Sequence, residues 1–228
     1  MDKMKAKSYK FKLITFVIIC AVAAAIVVNV KMKNSNVIKI SNKTEVNDYK
    51  SKEIKKQQLQ ETVNKKQADL EKKWKIGYDQ FFAHKYVEAI KTENQVLKED
   101  SKFYKAYNVK GIALAYSGDF KGGMQQIDNA LRLEPNYGYA RFNKALTYEL
   151  FGDYTNAVTW YKKDLEVEKY DWSYYGIASI YGRKGDINNT VKYLKLAIDI
   201  NKNIKNQAKN EKDFDNVKQY KQFKQLIG

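Results

Sequence analysis

The chain has 228 residues, of which 44% are apolar and 30% charged, enough for a packed domain plus an appendage and incompatible with a wholly disordered chain. Its net charge of +16 is concentrated toward the N-terminus: residues 31–75 hold thirteen lysines against six acids, whereas residues 76–204 nearly balance. A folded body so close to neutral does not suit a protein that grips phosphates across a folded face, so nucleic acid is an unfavoured partner.

Residues 1–12 are a basic tail with five lysines and one acid. From Leu13 to Val30 no residue is charged. As a helix this run is about 27 Å long, close to the roughly 30 Å of a hydrocarbon core. Lys12 and Lys31 flank it and can reach the headgroups. A single uncleaved transmembrane helix over 13–30 is expected. The alternative is a cleaved secretory signal: Ala21-Val22-Ala23 and Ala23-Ala24-Ala25 offer small-x-small sites, but the apolar run continues beyond them. The lysines crowded into the tail place it in the cytoplasm and the remainder outside the cell membrane; cleavage would instead make the protein secreted. Cys20, the only cysteine, excludes an intramolecular disulfide and reads as a small apolar residue of the span.

Residues 31–69 form a basic linker and lead-in helix. The first part, to Lys50, mixes Asn, Ser, Thr and Lys without a period and reads as a solvated spacer. From Ser51 the pattern turns helical, with Ile54, Leu59, Val63, Leu70 and Trp74 as a sparse apolar line. Lys66 interrupts any heptad seam, so the expected state is a monomer or a weak dimer. The excess of lysine suits an anionic polymer or lipid surface.

An internal repeat follows. Gly118-Asp119-Phe120, Gly152-Asp153-Tyr154 and Gly185-Asp186-Ile187 recur at 34 and 33 residues, and His84-Lys85-Tyr86 is a degenerate upstream copy. Small residues stand seven positions before each: Gly77, Gly111, Ala145 and Ala178. The frames are roughly 70–103, 104–137, 138–171 and 172–204. Each predicts two helices joined by a Gly-Asp turn, glycine closing the first helix in the left-handed conformation and aspartate capping the second. One such pair cannot bury its apolar faces alone, so successive pairs must stack.

The period, the small residue, the Gly-Asp-aromatic turn and the closing Leu-x-Leu-x-Pro resemble the tetratricopeptide repeat (TPR), most clearly over residues 106–136, where Pro135, the only proline, falls at the family's position. The resemblance covers about residues 70–204 and implies an all-α, TPR-like solenoid of helical hairpins behind the membrane helix. Lys110 and Lys144 depart from the family's Leu, and Gly123 and Thr190 from its second-helix Ala, which predicts loose packing at those joints. Residues 205–228, with Ala208, Phe214, Val217, Tyr220, Phe223 and Ile227 on roughly one face, resemble the capping helix that closes such arrays.

Catalytic signatures are missing. Gly122-Gly123 lacks the rest of a phosphate loop, and His84, the only histidine, occupies the turn slot that holds glycine in the other repeats. No enzyme activity, cofactor or metal is expected. The resemblance implies a binding groove lined by the first helices, which carries onto Trp74, Tyr78, Asn108, Ile112, Phe142, Asn143, Leu146, Tyr175 and Ser179. Aromatic rings with a few amides and hydroxyls suit a protein or peptide partner. The family's carboxylate-gripping Lys/Arg/Asn set retains only Asn143, which disfavours a terminal carboxylate as ligand. The expected function is a membrane-anchored interaction scaffold; the alternative is an anionic polymer held by the Lys-rich stalk.

Overall fold

No glycine precedes Gly77, and Pro135 lies far downstream, so nothing in the first 76 residues breaks a helix. In the computed structural model, which describes the backbone of residues 2–228 and the side chains of 22–35 and 50–228, helix α1 accordingly runs over Asp2–Phe82. The expected irregular spacer at 31–50 is therefore helical: lack of apolar periodicity argues against packing, and the absence of breakers still permits helix. The chain divides into two units, Met1–Lys65 and Lys66–Gly228.

In the first unit Val22, Ile26, Val27, Val28 and Val30 are exposed. Among the described residues no helix is long and apolar enough to cross a membrane. The first half of the expected span, residues 13–21, lies outside the described side chains. Ile54, Leu59 and Val63 are also exposed, so the sparse apolar line finds no core before Leu70.

The second unit stacks four helical hairpins. The end of α1 pairs with α2 (Tyr86–Glu99), α3 (Tyr104–Tyr116) with α4 (Phe120–Leu133), α5 (Gly138–Leu150) with α6 (Tyr154–Leu165), and α7 (Asp171–Arg183) with α8 (Ile187–Ile200). No strand occurs among the described residues. The turns are built alike. At the second, Asp119 N–H donates to Leu114 O and Gly118 N–H to Ala115 O, a Schellman closure that requires positive φ at Gly118, here 92°. His84 adopts the same conformation at φ 59°, with Lys85 and His84 N–H groups bonded to Gln80 and Phe81 oxygens. Asp119, Asp153 and Asp186 accept from the N–H groups of Gly122, Asn156 and Asn189, the expected caps.

In the first two hairpins a glycine of the first helix seats a side chain of the second, Gly77 under Glu93 and Gly111 under Ile127. Gly111 meets Gly123 backbone to backbone: a Cβ built on Gly111 would lie 2.8 Å from Gly123 O, and one built on Gly123 would lie 2.8 Å from Gly111 O. The joint expected to be loose is thus a close approach, because two glycines facing each other let the helix backbones touch. Lys144 runs its stem across Trp160, its ammonium 4.0 Å from the ring centre, and ends on Asp128.

The C-terminal segment covers the last hairpin, but as three short pieces instead of one capping helix: α9 (Ile204–Asn210), a 3-10 turn (Lys212–Phe214) and α10 (Lys221–Ile227). Glu211 turns extended between the first two. That break seats Phe214 against Gly182 of α7, where a built Cβ would be 2.7 Å from the ring. Ala208, Phe214, Val217 and Phe223 are buried with Leu194, Ala197 and Ile198 of α8. Asn210, Asp213, Asp215 and Asn216 are weak helix formers, so tertiary contacts decide the path.

Candidate functional site

Helical spacing places Trp74, Tyr78 and Phe82 of α1 on one stripe, four residues apart, with ring centres 5.4 and 4.7 Å from each other. Tyr139 of α5 reaches to within 6.3 Å of the Tyr78 ring and lies parallel to Phe142 at 6.2 Å. Phe142 in turn meets the edge of Tyr170 at 5.0 Å. These rings form an aromatic trough with two cavities that share Tyr139 and Tyr170. One, of about 330 Å³, is walled by Phe81, Phe82, Tyr116, Phe142, Leu146 and Trp172, with Asn143 at its polar end. The other, of about 480 Å³, is walled by Trp74, Tyr78 and Tyr137, with Lys75 and Glu168 as its charged residues.

The nine groove residues expected from the sequence divide in two. Trp74, Tyr78, Phe142, Asn143 and Leu146 line the cavities. Asn108 and Ile112 are buried, and the Asn143 side-chain amide donates to Asn108 Oδ1 at 3.0 Å. Tyr175 is only 7% exposed and packs edge-on against Phe214, at 5.7 Å, in the C-terminal core. Ser179 is buried and donates to Asp213. The physical reason is common to Tyr175 and Ser179: the C-terminal segment lies on that face of α7 and takes the place a partner needs.

The register also missed rings that the structure brings in. Tyr137 and Tyr170 are the N-cap residues of α5 and α7, and Phe103 holds that position before α3. An aromatic at each first-helix N-cap, at 34- and 33-residue spacing, was the available signal. Trp172 and Phe82 stand at the mouth of the smaller cavity, 38% and 54% exposed. Burial and neighbouring tyrosines hold the Tyr137 and Tyr139 hydroxyls well above the usual phenol range, and Tyr170 is pushed up to about 12, chiefly by burial and then by Asp171. Tyr137, Tyr139 and Tyr170 therefore stand in the trough as neutral phenols at physiological pH.

Behind Glu168 lies the buried Asp164, whose Oδ2 accepts from the Ser173 hydroxyl at 2.5 Å. Burial raises its carboxyl to about 7, with Ser173 opposing, Glu168 adding and Arg141 opposing. No group of three or more His, Cys, Asp or Glu side chains that could hold a metal is present among the described residues.

Comparison with known proteins agrees with this architecture. A tetratricopeptide-repeat family model matches residues 139–169 and 173–204. The uncharacterized protein MJ0572 of Methanocaldococcus jannaschii is 32% identical over 74 residues, 32% of this chain and 86% of that protein. The TPR repeat-containing protein MJ1428 of the same organism is 24% identical over 115 residues, 50% of this chain but only 20% of that longer protein. Among solved structures, the thermophilic TPR protein TTC0263 of Thermus thermophilus superposes with a TM-score of 0.56 at 16% identity, covering 60% of this chain and 78% of that one. MamA superposes with a TM-score of 0.50 at 23% identity, covering 61% and 81%. With the period, the four like-built turns and the stacked hairpins, these matches show that the chain carries tetratricopeptide repeats.

Proposed function

We propose that the chain is a membrane-anchored scaffold that holds a segment of a partner protein across the aromatic trough. The observation that carries this reading is the trough itself: rings from four first helices converge on two cavities, and Phe82 and Trp172 stay exposed at the rim of one. Exposed large aromatics around a concavity are the surface type in which a few anchors supply most of a partner's affinity. The charge-free run Leu13–Val30 and the basic tail before it support a single span with its N-terminus in the cytoplasm and the repeats outside.

Crosslinking and affinity capture from native membranes test the trough. The double variant Phe82→Ala/Trp172→Ala should weaken capture of the partner by about thirtyfold or more and leave the melting temperature nearly unchanged, since both rings are surface groups. Undiminished capture by a stable double variant would overturn the reading. For the anchor, the protein should remain with membranes after carbonate extraction and lose its repeats to external protease; a soluble form beginning near Ala24 would replace the anchor with a cleaved signal. The exposed lysines between Lys50 and Lys66 favour one further reading, an anionic polymer on the stalk. Such binding would fall steeply with salt, whereas trough binding of an apolar segment would not.

A further inference from the structure

The two cavities of the trough differ in chemistry although they share a wall. The smaller is bounded by apolar and aromatic side chains and one amide, while the larger presents five aromatic rings, Glu168, and Lys75, whose ammonium is paired with Asp79. We infer that the larger cavity takes a basic side chain, the lysine or arginine of a partner segment whose neighbouring apolar side chain fills the smaller one. The inference rests on the trough being the binding surface and goes further by naming what is bound.

Aromatic faces carry negative electrostatic potential, so a ring-lined cavity attracts an ammonium or guanidinium and accepts the aliphatic stem beneath it. Trp74 and Tyr78 already show this affinity toward the chain's own lysines: Lys105 Nζ lies 5.0 Å from the Trp74 ring and Lys75 Nζ 5.2 Å from that of Tyr78. Each of those lysines is neutralised where it stands, Lys105 by Glu71 at 2.8 Å and Lys75 by Asp79. Glu168 is not. It is exposed, lines the cavity and has no ion pair among the described residues. Its carboxylate sits where Gly138 leaves space: a Cβ there would be 1.9 Å from Glu168 Oε1 and 2.9 Å from Asp164 Oδ1. Glu168, which lines the cavity, thus has a second carboxyl group close beside it at Gly138, the buried Asp164, whose Oδ1 has no hydrogen-bond partner. A ligand carboxylate would face Glu168 directly, whereas a cation completes it.

The full chain in detergent micelles, labelled with 5-fluorotryptophan, provides a separate reporter for each place. Trp74 lines the larger cavity and Trp172 the smaller, while Trp160, flanked by Lys144 and Lys163 at 4.0 and 4.1 Å, serves as the control for general effects. The probes are Nα-acetyl-lysine methylamide, its uncharged counterpart Nα-acetyl-norleucine methylamide, and Nα-acetyl-leucine methylamide. The lysine probe should shift the fluorine resonance of Trp74 at roughly tenfold lower concentration than the norleucine probe. Glu168→Gln should remove most of that preference while the leucine probe continues to shift Trp172. Equal action of the lysine and norleucine probes on Trp74, or an undiminished preference in Glu168→Gln, would overturn the inference; a continuing leucine shift at Trp172 would then leave the trough reading standing. If no probe moves either Trp74 or Trp172, both readings fall together.

Discussion

The first hairpin and the three that follow reach the same backbone geometry from different residues. In the later hairpins the turn is Gly-Asp, the aspartate caps the second helix, and that helix carries a fully buried Ile127, Tyr161 or Leu194, with Ile127 resting against Gly111 and Tyr161 against Gly176 of the following first helix. In the first hairpin the turn is His84-Lys85, no side chain caps α2, and the knob is Glu93, also fully buried. Glu93 carries no hydrogen-bond partner on either carboxyl oxygen and lies directly over Gly77. Every local element of this hairpin is weaker than its counterpart, yet the stack forms it. Leu70, Val96, Phe103 and Ala106 join the end of α1, α2 and the start of α3 in one cluster, so burial against the second hairpin compensates for poor local signals.

The largest effect expected from this comparison concerns Glu93. Burial raises its carboxyl from 4.5 to about 9, so the folded state favours the protonated form. Its contribution to stability is then greatest below the unfolded value near 4.5, falls as pH rises toward about 9, and levels off above it. Replacing Glu93 with Leu, which restores the kind of knob the other repeats use, should stabilise the protein by roughly 3 kcal/mol at pH 8. Denaturant titrations from pH 5 to 9 should also lose the fall in stability between about pH 7 and 9, while the part that Asp164 contributes at lower pH remains. A variant no more stable than the parent at pH 8 would show that Glu93 is solvated or paired in solution.

The turns come next. Gly152→Ala should cost about 1–2 kcal/mol, purely from its positive φ of 81°, since nothing lies within 4 Å of a Cβ there. The converse change, His84→Gly, should stabilise by about 1 kcal/mol, partly offset by loss of the His84–Tyr86 hydrogen bond at 2.8 Å. Opposite signs in thermal unfolding of the two variants would confirm that one conformation is imposed on both turns. The smallest effect is at the caps. Asp119→Ala should cost about 1 kcal/mol, and Lys85→Asp should gain about 0.5 kcal/mol by supplying the cap that α2 lacks. Failure of Lys85→Asp to stabilise would mean that the first turn holds α2 too far out of register for a cap.

The trough shows where reading by register succeeds and where it fails. Trp74, Tyr78, Phe142, Asn143 and Leu146 follow from the groove positions that the repeat resemblance implies, because residues one repeat apart on first helices share a wall. Tyr175 and Ser179 obey the same register and are nonetheless covered. Which face of α7 remains open depends on where residues 204–228 lie, and Ser179, Asp213 and Arg183 join that segment to α7 through contacts 30 or more residues apart. Tyr137, Tyr139 and Tyr170 enter from helix starts, with rings long enough to cross from one helix to another.

Local chemistry therefore determined what local chemistry governs. The Gly-Asp turns, the aspartate caps and the 33- to 34-residue period specified the helical hairpins, since each depends on backbone conformation within a few residues. The unbroken run of residues before Gly77 left α1 free to be one long helix. Only the tertiary structure decided that the closing segment breaks at Glu211 to place Phe214 against Gly182, that Glu93 is buried without a partner, and that Glu168 lines a cavity with Asp164 close beside it at Gly138. Those outcomes turn on competition for the same apolar surface by segments far apart in the chain, and the free energy of that competition is set by packing and desolvation once the helices have met.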